Sequence, residues 1–254
     1  MIDMTSLCQH KYYKSALKDF NSSPCRWNLF KKAHIEVAKG RCPICECILD
    51  ETVTRTTNSG KEKKIEPTID HYRPQQYYSF LKCNHKNYIL MCSECNIEYK
   101  RSNFPLHNST PKRAINESEI ENEKPLITNP IYDNVLNLFI LVFRQSSSGK
   151  RVLELEPKES KGYLNEKAIE TIKLFGLGDC DNNRHHNDNI HRCRLEILES
   201  HFGVFYEVAK AFRIKDKNRQ GRVLTSLKTN INTCKKYGFL NFLMKNQFDI
   251  RLVD

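Results

Sequence analysis

Cys42-Pro43-Ile44-Cys45 and Cys92-Ser93-Glu94-Cys95 are two cysteine pairs with the same two-residue spacing. That spacing lets both sulfurs face one ion as the backbone turns back on itself. Two such pairs supply the four thiolates of a tetrahedral structural zinc site. Either pair alone is a weak signal; together they form a frame. Cys47 lies close by, but Cys45 has the spacing to Cys42 that a knuckle needs, and Cys83 is left over. A zinc held by four sulfurs has no open coordination position, so any chemistry belongs elsewhere. Between the knuckles the chain reads IDHYRP, with Asp70 and His71 adjacent. An Asp-His pair is usually a hydrogen-bonded surface pair. An imidazole also titrates near neutrality, which suits a general base. Past the second knuckle, Asn96 and Lys100 stand four apart and share a face if a helix begins there.

Other histidines have less around them. His85 sits in a polar insertion just before Asn87. His185, His186 and His191 cluster in NNRHHNDNIHRCR, where a polar helix start is the plainer reading than a second metal site.

The elements that position these residues are legible in outline. Residues 24–39 read as a helix, with Pro24 near its start and Gly40 at its stop. Residues 41–105 lack helical periodicity. Within them TTNSGKEKK, 56–64, reads as a polar loop, and INESEIENEK, 115–124, reads as an exposed connector. NLFILVFRQSSSGKRVLELEP, 137–157, is two apolar runs around a Ser/Gly turn, a β-hairpin pattern. Leu164, Ala168, Ile172 and Phe175 mark an amphipathic helix stopped by Gly176, and Leu195, Leu198, Phe202, Phe205 and Ala209 mark a longer one. The segment 219–247 is expected to be helical. The expected organisation is an N-terminal helical segment over 1–40, a core over 41–108, a connector over 109–126, and a mainly helical region over 127–254.

The chain has 254 residues, 39% hydrophobic and 28% charged, as in a globular protein able to bury a core. Its net charge is +11. An excess of Lys and Arg favours a polyanionic partner. Residues 210–236 hold nine basic residues against one acidic, Asp216, and so offer either a nucleic-acid or partner-docking face or a solvated helical surface. No apolar leader or stretch of about 18 apolar residues occurs, so a cytoplasmic protein is expected. In that compartment eleven cysteines are not expected to form a disulfide framework, and Cys8, Cys25, Cys180 and Cys234 read as small buried apolar residues.

Taken in order, C-x-x-C, D-H-x-x-P, N-x-x-x-x-C-x-x-C-N-x-x-x-K resembles the HNH endonuclease family over residues 42–104. The resemblance implies an α+β fold with a ββα-metal core, here carrying the zinc-binding cysteine pairs and flanked by the mainly helical C-terminal region. It implies that His71 is the general base activating a water. It makes Asp70 and Asn96 ligands of a catalytic Mg²⁺ or Mn²⁺, and Asn87 the residue that orients the loop. Lys100 and Arg73 become phosphate contacts. HYRP, NYILMCSECN, KRSNFPL, KPLITNP and GKRVLELEP further resemble PtuB, the HNH subunit of Septu-type antiphage defence systems, also found beside retrons. That implies an effector nuclease working with an ABC-type ATPase, PtuA, and in some settings with a retron reverse transcriptase and its RNA–DNA. The chain has no phosphate-binding G-x-x-x-x-G-K-[ST] loop, so nucleotide dependence would come from the ATPase. It departs from the PtuB pattern in Tyr72, in Gln75 where Lys is usual, and in an insertion at 82–86. Two rival functions are the same nuclease acting on structured RNA such as tRNA, and a zinc-stabilised binding module without catalysis.

Overall fold

The computed structural model describes residues 1–22, 25–49, 54–56, 62–64, 66–145, 151–177, 206–207, 210–233 and 249–252. The chain begins with a 3₁₀ turn, Leu7–Gln9, and helix α1, Lys11–Ser22. α1 buries Tyr13, Ala16 and Phe20, spaced three and four apart, which is one face of a helix. The helix expected over 24–39 forms only in its later part. Cys25 has a positive φ of 71°, a left-handed conformation that no helix start tolerates. A 3₁₀ turn at Trp27–Phe30 then leads into α2, Lys31–Val37, and Gly40 follows at φ 70°. Residues expected as a polar loop contribute to a small antiparallel ribbon, β1 (Thr54–Thr56) with β2 (Glu62–Lys64).

The central hairpin is β3 (Pro67–His71) with β4 (Tyr88–Cys92), antiparallel, in a register that places Ile69 opposite Leu90, Asp70 opposite Ile89 and His71 opposite Tyr88. All five β4 residues, YILMC, are buried. Alternation along a strand explains how that is possible. Tyr88 and Leu90 face one apolar cluster, with Met4, Leu7, Tyr13, Phe20, Phe30 and Ala33 from the N-terminal elements. Ile89 and Met91 face the other, with Tyr72, Tyr78, Phe104, Phe139 and Phe175. β4 is therefore a wall between two cores. A run of seven residues, Glu94–Lys100, then winds as a π-helix, closed by the Arg101 amide donating to the Asn96 carbonyl at 2.8 Å.

Further on, a short helix α3 (Val135–Leu138) feeds β5 (Phe139–Gln145), which pairs antiparallel with β6 (Arg151–Pro157), as the two apolar runs predict. A third strand, β7 (Asp249–Leu252), adds to β5 in parallel, a pairing the sequence gives no sign of. Helix α4, Tyr163–Phe175, forms where the apolar spacing predicts and buries Ala168, Ile172 and Phe175, but Leu164 in its first turn is exposed; it ends at Gly176 in the left-handed conformation, the usual C-terminal stop. Helix α5, Lys217–Thr233, covers part of the expected 219–247 helix. Cys180, Cys234, the His185/His186/His191 cluster and the helix expected from Leu195 onward lie outside the described residues, apart from a few positions around 206–210. The protein is thus α+β, helices with small sheets.

Three expectations are corrected. Cys8 is exposed. Cys25 is exposed as well and is joined to Cys83 as a disulfide, their Cα atoms 4.4 Å apart, although 58 residues separate them. The connector at 115–124 is only partly exposed: its Glu123 is buried, accepting from the Ala114 amide at 2.8 Å and the Tyr78 hydroxyl at 2.8 Å.

α2 lies against both strands of the hairpin. It carries His34 into the interior, 0% exposed, with neither ring nitrogen hydrogen-bonded. Burial alone pushes its pKa down from 6.5 to about 3. The folded state therefore holds a neutral imidazole, while the unfolded chain takes up a proton below about pH 6.5. The stability at stake is complete above that pH and is lost as pH falls toward about 3, at up to about 1.4 kcal/mol per pH unit. His34→Leu should remove that component. The difference in unfolding free energy between wild type and variant, followed by urea denaturation from pH 7 to pH 5, should change with this slope; parallel curves would show His34 to be hydrogen-bonded or hydrated.

Candidate metal cluster and active site

The sulfur atoms of Cys42, Cys45, Cys92 and Cys95 lie within 4.8 Å of one another, all buried. Cys42 to Cys95 and Cys45 to Cys92 are both 3.8 Å. A tetrahedral ion with bonds of about 2.3 Å to sulfur has edges of about 3.8 Å. The cluster therefore fits a structural metal such as zinc. Backbone amides of Cys92 and Cys95 donate to the sulfurs of Cys42 and Cys92, each at 3.3 Å. Hydrogen bonds with the neighbouring thiols hold Cys45 well below its ordinary pKa and push Cys92 well above it. Without a cation the four sulfurs share protons; with one, all four can be thiolates.

The first knuckle is a turn in which the Glu46 amide donates to the Cys42 carbonyl at 2.8 Å and the Cys42 amide to the Cys47 carbonyl at 2.9 Å. Glu46 adopts φ 64° to close it, and its buried carboxylate meets the Met1 ammonium. Cys47 is buried beside the ligands but is not one of the four.

Cys95 ends the second knuckle inside the π-helix, so Asn96 and Lys100 follow from its position. On β3, Thr68 and Asp70 point to one face by alternation, and the π-helix lies on that face. The Asn96 amide nitrogen donates to the Thr68 hydroxyl at 3.2 Å, and Lys100 Nζ donates to Asp70 Oδ2 at 2.6 Å. Lys100 is 0% exposed and also donates to the His71 carbonyl at 2.8 Å and the Arg101 carbonyl at 3.4 Å. Every ammonium proton is used. Oδ1 of Asp70 and Oδ1 of Asn96 have no partner among the described residues, and the Asp70 side chain is 20% exposed. Two oxygen acceptors are thus left on one face, the donor set a hard divalent cation takes.

His71, one residue on, packs its ring edge-on against its cross-strand partner Tyr88, centroids 5.2 Å apart. Its Nε2 is 2.9 Å from the Lys82 carbonyl, and its Nδ1 is 3.0 Å from the Gln75 amide nitrogen. A carbonyl only accepts, so Nε2 carries the proton and Nδ1 keeps the lone pair. The exposed Gln75 side chain places its amide nitrogen 3.2 Å from Nε2 as well, so it rests over the ring and not along that lone pair. Gln75, which the sequence offers only as a departure, thus packs on the imidazole. Asn87 is buried and clamps the loop after β3: its Oδ1 accepts from the Arg73 amide at 2.8 Å and its Nδ2 donates to the Arg73 carbonyl at 3.0 Å.

Two expectations fail here. Lys100 cannot contact a phosphate while it is buried on Asp70. Arg73 pairs with the buried Glu123 at 3.0 Å and lies over the rings of Tyr72, Tyr78 and Phe104, so it is an interior ion pair and not a surface cation.

The 82–86 insertion is anchored from beneath. His85 stacks on Phe30, centroids 5.7 Å apart and planes 13° from parallel, and the Tyr13 hydroxyl bonds its Nδ1 at 2.7 Å. Cys83 is tied to Cys25. The Lys82 carbonyl that fixes His71 is therefore held at both ends of a short rigid segment. Sequence spacing shows none of this, because every contact is long-range. Comparisons of the chain with protein-family models, with curated proteins and with solved structures found no match in any of the three.

Two outcomes are expected. Purified protein should carry about one zinc per chain by elemental analysis, and Cys42→Ser or Cys92→Ser should give unfolded, zinc-free protein, because filling such a site is part of folding. Soluble zinc-free protein with an unchanged circular-dichroism spectrum would contradict it. Asp70→Asn, which leaves the buried Lys100 ammonium without its counter-charge, should cost about 3 kcal/mol in denaturant unfolding; a loss under about 0.5 kcal/mol would mean that the ammonium is solvated.

Proposed function

We propose that the protein is a metal-dependent endonuclease that hydrolyses phosphodiester bonds of nucleic acid with His71 as general base. The observation that carries this reading is the state of His71. Its Nε2–H is fixed on the Lys82 carbonyl, which leaves Nδ1 as the basic nitrogen, next in sequence to a carboxylate that keeps one oxygen unengaged. The HNH order of residues supports it, as does the net charge of +11.

In this reading Nδ1 takes the proton from an attacking water, with the Gln75 amide resting over the ring. Asp70 and Asn96 would hold a Mg²⁺ or Mn²⁺ through their unengaged oxygens, on the free edge of β3. That ion would polarise the phosphate and stabilise the leaving oxygen. Lys100, bound to the other carboxylate oxygen, keeps Asp70 oriented. Asn87 holds the loop in shape without touching the ion. The cysteine cluster, filled by zinc, sets the position of Asn96 and takes no part in the chemistry. An ABC-type ATPase partner and a role in antiphage defence rest on the sequence resemblance alone.

A second reading, a zinc-stabilised binding module without catalysis, is favoured by one observation: Asp70 already has a cation, the Lys100 ammonium.

Wild-type protein and His71→Ala are to be incubated with plasmid DNA and total RNA, with Mg²⁺ or with EDTA, with and without the ATPase. Wild type should cleave one of the two polymers only with the divalent ion. His71→Ala should be slower by roughly 10²–10⁴ at unchanged zinc content. Equal cleavage by both, or none under any of these conditions, leaves the binding module as the reading.

A further inference from the structure

We propose that residues 25–27 and 82–86 form one lip beside His71 that binds a single-stranded segment of nucleic acid, with phosphates on Arg26, Lys82 and Lys86 and a base stacked on Trp27. The proposal deepens the nuclease reading and rests on it for its biological meaning.

The two segments are far apart in sequence and are brought together by the Cys25–Cys83 link, with Cα atoms 4.4 Å apart. The lip adjoins the base because the Lys82 carbonyl is the group that holds His71 Nε2, at 2.9 Å. Arg26, Lys82 and Lys86 are all exposed, and none has an acidic partner among the described residues. Cations drawn into the interior are paired, as Arg73 with Glu123 and Lys167 with Asp133. Three unpaired cations on one lip leave a positive field suited to a phosphate backbone. Among the described residues Glu117 is an acidic group in contact with the lip, accepting from Asn84, between Lys82 and Lys86, at 3.4 Å.

Trp27 is 46% exposed and makes no ring contact with another aromatic side chain among the described residues. Trp27 follows Arg26 and lies two residues from the Cys25–Cys83 link, so an exposed indole is available at the lip for a nucleobase to stack on. Base stacking requires an unstacked base, so the fitting ligand is a single strand; in a duplex the base faces are already covered. The lip's foundation is rigid, since His85 is caged by Phe30, Phe20 and Tyr13. The cations are thus presented on a fixed platform.

Trp27 is the protein's single tryptophan, so its fluorescence reports on the lip directly. In the His71→Ala background without added divalent ion, where cleavage is slowed, oligo(dT) and oligo(U) of about 15 nucleotides are titrated and emission is read. Quenching is expected with at least one of the two polymers. Its midpoint should weaken roughly tenfold between about 50 and 200 mM salt. Arg26→Glu with Lys86→Glu should weaken binding at least tenfold with zinc content and melting temperature unchanged. Trp27→Ala should weaken binding of a dye-labelled oligonucleotide, and Trp27→Phe should restore part of it. No quenching by either oligonucleotide overturns the proposal. So does binding that survives the charge reversal, or a blunt duplex bound as tightly as a single strand. If quenching and charge dependence hold while wild type cleaves nothing, the lip stands and the nuclease reading falls. If wild type cleaves and the charge-reversed protein cleaves and binds equally well, the nuclease stands and the lip falls.

Discussion

Four cysteine sulfurs within 4.8 Å of one another are the constraint on which the rest of the site depends. Bare thiolates cannot share so small a volume, so the sulfurs either share protons or surround a cation. Filling the cluster ties the knuckle at 42–45 to the end of β4 and to the first turn of the π-helix. Asn96 is the next residue after Cys95, and Lys100 lies four further on. Their contacts with Thr68 and Asp70 follow from where the cluster holds Cys95. A structural metal here would thus orient the candidate catalytic face without taking part in the reaction.

The second constraint is the double burial of β4. A strand buried on both faces leaves its partner β3 to carry polar groups, and β3 has them on both faces. Asp70 and Thr68 turn toward the π-helix, while His71 turns toward Tyr88 and the loop after β3. A base and a carboxylate that are neighbours in sequence therefore look to opposite sides of one strand. In the proposed nuclease, a phosphate meeting both would have to lie at the edge of β3 away from β4. Among the described residues the hairpin has two strands, and a third strand there would cover that edge.

What could be read from sequence is what depends on local spacing. The cysteine pairs were legible because the geometry of ligation fixes both residue type and separation. The β5–β6 hairpin and α4 were legible because apolar period and turn residues are local signals. The fates of Arg73 and Lys100 were not, because a charged side chain reads as exposed until its buried acceptor is known. Glu123 is fifty residues from Arg73, and Asp70 is thirty from Lys100. The π-helix was invisible too: Asn96 and Lys100 at a spacing of four fit an ordinary helical turn as well. The Cys25–Cys83 link ran against the expectation from cysteine usage, which weighs compartment and not proximity.

The segment 82–86 shows how a short stretch with no local structural signal becomes structural. By composition it is four polar residues and a cysteine in a loop. In the fold its histidine enters an aromatic cage, its cysteine joins the N-terminal region, and its first carbonyl fixes the tautomer of His71. The Tyr88 hydroxyl donates to that same carbonyl at 3.1 Å, so the strand and the insertion hold one acceptor between them. The carbonyl accepts Nε2–H and cannot donate to it, so Nδ1 is left with the lone pair whatever occupies its far side. The orientation of the imidazole thus comes from a segment that supplies no catalytic side chain. Substitutions in that segment would reach the imidazole only through the Lys82 carbonyl.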